Sequence, residues 1–164
     1  MSWLPWLVLV HVIGAFGFML GHGVSAHVAF QLRREREAAR IAALLELSSF
    51  SLTMLYVSLL VLLAGGIAAG FAGGHWGRLW IWISIGLLVL LVGAMYGLAS
   101  PYYNDLRRAV GMKTYGDPKD APPPAPLAAE EIAMRLESPR PYVVAAIGGI
   151  GLVLIIGLMV LKPF

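Results

Sequence analysis

Two histidines within the first long apolar run, His11 and His22, are the residues of this chain best suited to chemistry. They stand close to three helical turns apart, so on an α-helix both rings leave the same side about 16 Å from each other. Gly14, Ala15 and Phe18 lie between them on that face, with Ala26 beyond His22. A neutral imidazole is a normal axial haem ligand, and small residues beside a ring leave room for the flat edge of a porphyrin. The expectation is a b-type haem on this face, with His11 and His22 as metal ligands. His75, just ahead of the third apolar run, and Met54, on the second at roughly the depth of His22, are the further cofactor contacts. A copper site from Met19, His22, Met54 and Met95 is the soft-ligand variant. The competing use of each ring is a hydrogen bond to a serine or carbonyl of another helix. His27 points about 140° from His22 on a helix and reads as a headgroup-level residue.

The elements that must carry these side chains follow from hydropathy. The chain has 164 residues, of which 59% are hydrophobic and 13% charged, against roughly 25% charged in a soluble domain. Four apolar stretches, about 4–30, 47–70, 79–100 and 142–161, each have the roughly 20 residues that cross a ~30 Å hydrocarbon core as a helix. Membrane strands need only about 9–11 residues and a closed barrel, so the fold class is all-α: one four-helix membrane domain over residues 1–164. The first stretch has no Lys or Arg before Arg33 and outruns a signal-peptide core, so it is expected to remain as the first span.

Charge sets the orientation. Ten of the twelve Lys and Arg lie in two polar segments: Arg33, Arg34, Arg36 and Arg40 in one, and Arg107, Arg108, Lys113, Lys119, Arg135 and Arg140 in the other. Only Arg78 and Lys162 fall on the opposite side. Basic loops stay in the cytoplasm, which places both termini outside and makes residues 101–141 a cytoplasmic loop of a multi-pass protein in the bacterial inner membrane. The formal charge of +3 then meets anionic headgroups rather than nucleic acid. With no cysteine, disulfides, thiol nucleophiles and Cys-ligated clusters are excluded.

Within the first polar segment, LRREREAARIAALLEL has no Gly or Pro, so the first helix is expected to run on through it. Tyr102 and Tyr103 suit the headgroup level, with Arg107 and Arg108 facing anionic lipid. APPPAP reads as a stiff spacer, and LAAEEIAMRLES as a short helix on the interface with Ala128, Ile132 and Leu136 on one face. Small-xxx-small pairs, Gly17/Gly21, Gly66/Gly70, Gly93/Gly97 and Ala145/Gly149, predict close helix contact. Ser48, Ser51, Thr53 and Ser58 are expected to bond to i−4 carbonyls or across helices.

The stretch LVHVIGAFGFMLGHGVSAHVAFQLRRE, with its Leu-X-His start, glycine-rich middle and basic exit, resembles the small bacterial membrane proteins of the DUF2269 type. It is more distantly similar to the CopD and HemJ-like membrane families. The HemJ-like comparison implies a haem-associated role for His11; that family also carries a basic residue in a later span, which the third span here lacks. The CopD comparison implies copper handling, in a larger helix set than four. The resulting expectation is a small accessory protein of the inner membrane that binds b-type haem. A haem-dependent membrane oxidoreductase and a structural subunit of a larger membrane complex are the alternatives, with the lipid bilayer and other membrane proteins as partners.

Overall fold

The computed structural model describes residues 2–118 and 120–164, so Lys119 of the second basic segment lies outside the described residues. The protein is all-α. The element order is α1 (Leu4–Leu32), α2 (Ala38–Ala72), a 3₁₀ turn (His75–Gly77), α3 (Leu79–Ala109), α4 (Ala129–Leu136) and α5 (Arg140–Leu161). Among the described residues four stretches are long and apolar enough to cross a membrane, the fourth running from the start of α4 through α5. α2 has 35 residues, roughly 52 Å at 1.5 Å per residue, so it must project beyond a ~30 Å hydrocarbon core.

The bundle is two antiparallel pairs. α1 lies along α2 and α3 along α5, whereas α1–α5 and α2–α3 touch only sparsely. The first pair is zipped by small residues. A Cβ on Gly14 would strike the Leu62 backbone, one on Gly65 would come 2.6 Å from the backbone nitrogen of His11, and one on Gly21 would meet Ser51 and Leu55 at 3.1 Å. Lipid offers no hydrophobic drive for helix pairing, so this close approach supplies dispersion contacts instead. The expected Gly17/Gly21 pair takes part, Gly17 facing Ser58, but Gly93, Gly97 and Gly149 have open space where a Cβ would go. At α3–α5 the close glycine is Gly151, against Leu91.

The expected continuation of α1 past the membrane does not occur. The helix stops at Leu32 and α2 starts at Ala38, because charged side chains satisfy the backbone of a tight reversal. The Glu35 carboxylate accepts the N–H groups of Arg36 at 2.9 Å and Glu37 at 3.0 Å. The Arg36 guanidinium donates to the carbonyls of Arg33 and Glu35 at 3.0 and 2.8 Å. Helix propensity is a weak prior, and antiparallel packing along the whole of α1 outweighs it.

A second departure lies at Pro101, which sits inside α3 rather than ending it. Proline removes the bond to the Gly97 carbonyl, but the segment beyond it is pinned to the first pair. The Tyr103 hydroxyl donates to the Ser25 carbonyl at 2.8 Å, and Arg107 donates to the Leu45 carbonyl at 2.9 Å and to Ser49 Oγ.

The main apolar core lies at the charged end, where Val28, Leu32, Ile41, Leu45, Tyr102 and Leu106 meet Ile132 and Leu136 of α4. The apolar face of α4 is therefore taken up by the bundle, not left for lipid as the sequence suggests. Leu136 is fully buried, worth about 1.5–3 kcal/mol where the alternative is water. The proline strap returns across the end of α3: the Leu127 N–H donates to the Ala109 carbonyl at 2.9 Å, and Gly111, at φ 80°, turns beneath Pro124 and Pro126. Arg33 ties α1 to the start of α5 through the Glu137 carbonyl at 2.8 Å, the Ser138 carbonyl and the Tyr142 ring, 4.9 Å from its guanidinium carbon.

Candidate functional site

Sparse contact between the two pairs leaves a cavity of about 430 Å³ bounded by all four long helices. Its apolar wall is Phe18 of α1, Leu52 and Leu55 of α2, Leu91 and Val92 of α3, and Leu152 of α5. Toward the charged end the wall becomes polar, with Ser25 from α1 and Ser100, Tyr102, Tyr103, Asn104 and Arg107 from α3. His22 and Met95 line it between these zones. The His22 ring lies over Gly148 of α5, where any Cβ would overlap its Nε2 and Cε1.

The four expected cofactor residues do not converge. The His11 ring turns to α2, and its Nδ1 lies 2.8 Å from the Leu62 carbonyl. A carbonyl only accepts, so Nδ1 carries the hydrogen; this is the cross-helix bond that competes with ligation, seated over Gly66. His75 sits in the 3₁₀ turn with its ring 6.0 Å from Trp80. Met54 is not in the cavity wall, and of the expected copper ligands only His22 and Met95 are. Among the described residues no three His, Asp or Glu side chains group as a metal site. His22 and His11, on one side of α1 by spacing, are separated by function of their neighbours: α2 takes the first and α5 meets the second.

Of the expected hydroxyls, Thr53 donates to the i−4 carbonyl of Ser49 at 3.5 Å and Ser51 bonds across to α1, but the buried Ser48 hydroxyl has no hydrogen-bond partner. Ser49 and Ser84, outside that set, donate to i−4 carbonyls at 3.2 and 2.8 Å. The Ser51 hydroxyl donates to the Ser48 carbonyl at 2.8 Å, which leaves its oxygen to accept from Ser25, also at 2.8 Å. These bonds hold the α1–α2 wall rigid beside the cavity.

The polar wall of α3 is what sequence reasoning missed. Tyr96, Ser100, Tyr103 and Arg107 recur at four, three and four residues, a stripe along one helix face. The stripe was readable, but ending the third span before Pro101 cut it in two. Arg107 is half-buried, and among the described residues no carboxylate pairs with it. Arg108 behaves differently: it faces away and pairs with Asp117 at 2.8 Å. Tyr102 is only 5% exposed, and its hydroxyl has no hydrogen-bond partner.

At the opposite end, Trp76 stacks near Phe71 and Trp82, and Lys162 lies over Trp80. Such aromatic clusters suit a membrane–water boundary. No protein-family model, curated protein or solved structure matches this chain.

Proposed function

We propose that this small polytopic membrane protein is a non-catalytic accessory component whose working part is the cavity between its helix pairs, holding one membrane-soluble small molecule. The observation that carries this reading is the cavity itself. All four helices contribute to it, and its wall runs from apolar to polar along one axis. Its size falls in the range of about 300–1,000 Å³ usual for ligand pockets. The reading places the protein in a bacterial inner membrane with its charged end in the cytoplasm, as the ten basic residues of the two polar segments favour. Kinship with DUF2269-type proteins, and more distantly with CopD and HemJ-like ones, is part of the same proposal and rests on the first-span pattern around His11.

The test is organic extraction of the purified full chain, followed by mass spectrometry. Gly93 lines the cavity and a Cβ there meets no atom within 4 Å, so Gly93→Phe is the substitution chosen to obstruct the pocket. A near-stoichiometric small molecule in the wild type, missing from Gly93→Phe, supports the reading; identical extracts refute it.

A second reading, b-type haem in the same cavity, is favoured by His22 and Met95 both lining it. His/Met is a known axial pair, and His11, engaged with α2, drops out as a ligand in this version. Bound haem would supply electron transfer; His22 and Met95 would hold it, and Arg107 would offer positive charge to its carboxylates. This reading expects Soret absorption and iron in the purified protein, both lost in His22→Ala, and a colourless iron-free protein removes it.

A further inference from the structure

The polar end of the cavity holds two groups that the fold leaves unanswered. One is the Arg107 guanidinium, which spends one nitrogen on the Leu45 carbonyl and Ser49 Oγ. It keeps three further N–H donors and its full charge, with no carboxylate beside it among the described residues. The other is the Tyr102 hydroxyl, buried and without a partner. An arginine at a cavity wall with unspent donors and no carboxylate beside it is a ready partner for a negatively charged group. An unmade hydrogen bond at a buried hydroxyl costs free energy. These are independent observations on two side chains at the same end of the cavity, and a ligand oxygen cluster carrying negative charge answers the Arg107 guanidinium.

The rest of the cavity specifies the remainder of the molecule. From Arg107 to Leu91 the α3 wall rises about 24 Å, and its far half is apolar. Its mouth faces sideways. Tyr56 of α2 and Tyr96 of α3 both line the cavity yet are 51% and 71% exposed, and these are the helices that barely touch. A ligand therefore enters from the hydrocarbon rather than from water, tail against Phe18 and Leu152 and head toward Arg107.

We propose that the cavity binds a single-chain lipid amphiphile with a compact anionic head, carboxylate or phosphate, drawn laterally from the bilayer. This rests on the reading of the cavity as a ligand pocket, and the test separates the two. The full chain in phosphatidylcholine nanodiscs is titrated with radiolabelled palmitate, with palmitoyl lysophosphatidate and with palmityl alcohol. The wild type should bind either anion about tenfold or more tighter than the alcohol, as a charge-assisted bond implies, and the tighter anion identifies the head. Arg107→Gln should erase that preference while leaving the alcohol unchanged, and Gly93→Phe should exclude all three ligands. Because Arg107 also ties α3 to α2, the wild-type comparison of anion with alcohol carries the test if Arg107→Gln does not accumulate. Equal affinities for acid and alcohol, both excluded by Gly93→Phe, would overturn anion recognition and leave the pocket standing. Binding untouched by Gly93→Phe would sink the pocket as well.

Discussion

Gly148 and Gly23 differ by what stands opposite them. A side chain at Gly148 would run into the His22 ring, while one at Gly23 meets open space. Gly148→Val should therefore displace the ring from the cavity wall and cost about 1–3 kcal/mol, the usual penalty of overpacking. Gly23→Ala should be neutral or stabilise α1 by about 0.5–1 kcal/mol, since glycine is a poor helix former. Thermal unfolding of the two variants in one detergent checks the order. Asp117 supplies a pH signature at the charged end. The Thr114 N–H, at 2.7 Å, its hydroxyl and the Arg108 guanidinium hold the carboxyl below its ordinary value. A depressed folded value means the carboxylate's contribution is present above the unfolded value of 3.8 and is lost as pH falls through the lower folded one. Hydrogen exchange at the Thr114 amide should stay protected at neutral pH and open only below about pH 4, and Asp117→Asn should open it throughout. Exchange that is flat with pH would argue against this turn. At this scale the sequence was only partly legible. Spacing put His11 and His22 on one side of a helix, yet no spacing within α1 tells which ring a neighbouring helix will claim.

Among the elements, α4 decides the most for its size. Its eight residues are too few to be stable alone, and they hold only because Ile132 and Leu136 complete the core at the ends of α1, α2 and α3. Glu130 and Glu131 in its first turn and Arg135 in its last suit the helix dipole, a small addition beside the burial. Leu136→Ala should cost about 2–5 kcal/mol locally, releasing α4 and the proline strap. Limited proteolysis should then cut the proline strap, residues 122–128, faster than in the wild type; equal rates in both would contradict the docked arrangement. The i, i+4 apolar pair of α4 was visible in the sequence, but its destination was not. An amphipathic face reads alike whether lipid or protein covers it. The long helices were legible because hydropathy over some 20 residues leaves few alternatives. Their ends were not, because cross-helix bonds from Tyr103 and Arg107 carry α3 past Pro101, and the Glu35 and Arg36 contacts halt α1 inside a run of strong helix formers.

For the whole molecule, two different forces hold the two ends. Within the spans, glycines bring α1 and α2 into backbone contact, and no hydrophobic gain is available from lipid. At the charged end, aliphatic residues are buried beneath the loops, and water makes that burial favourable. The pairs are therefore joined firmly at one end and loosely along their length, which is why a cavity persists between them. That arrangement has a function only if the four helices cross the bilayer with both charged segments on one face. The chain has no native cysteine, so single-cysteine variants report position without background. Arg34 and Tyr115 are exposed in the two charged segments, and Gly77 has open space in the opposite turn. In sealed inverted membrane vesicles, a membrane-impermeant maleimide should label Arg34→Cys and Tyr115→Cys and leave Gly77→Cys untouched until detergent is added. Labelling of Gly77→Cys together with the other two, or protection of one charged segment while the other reacts, would contradict the four-span account.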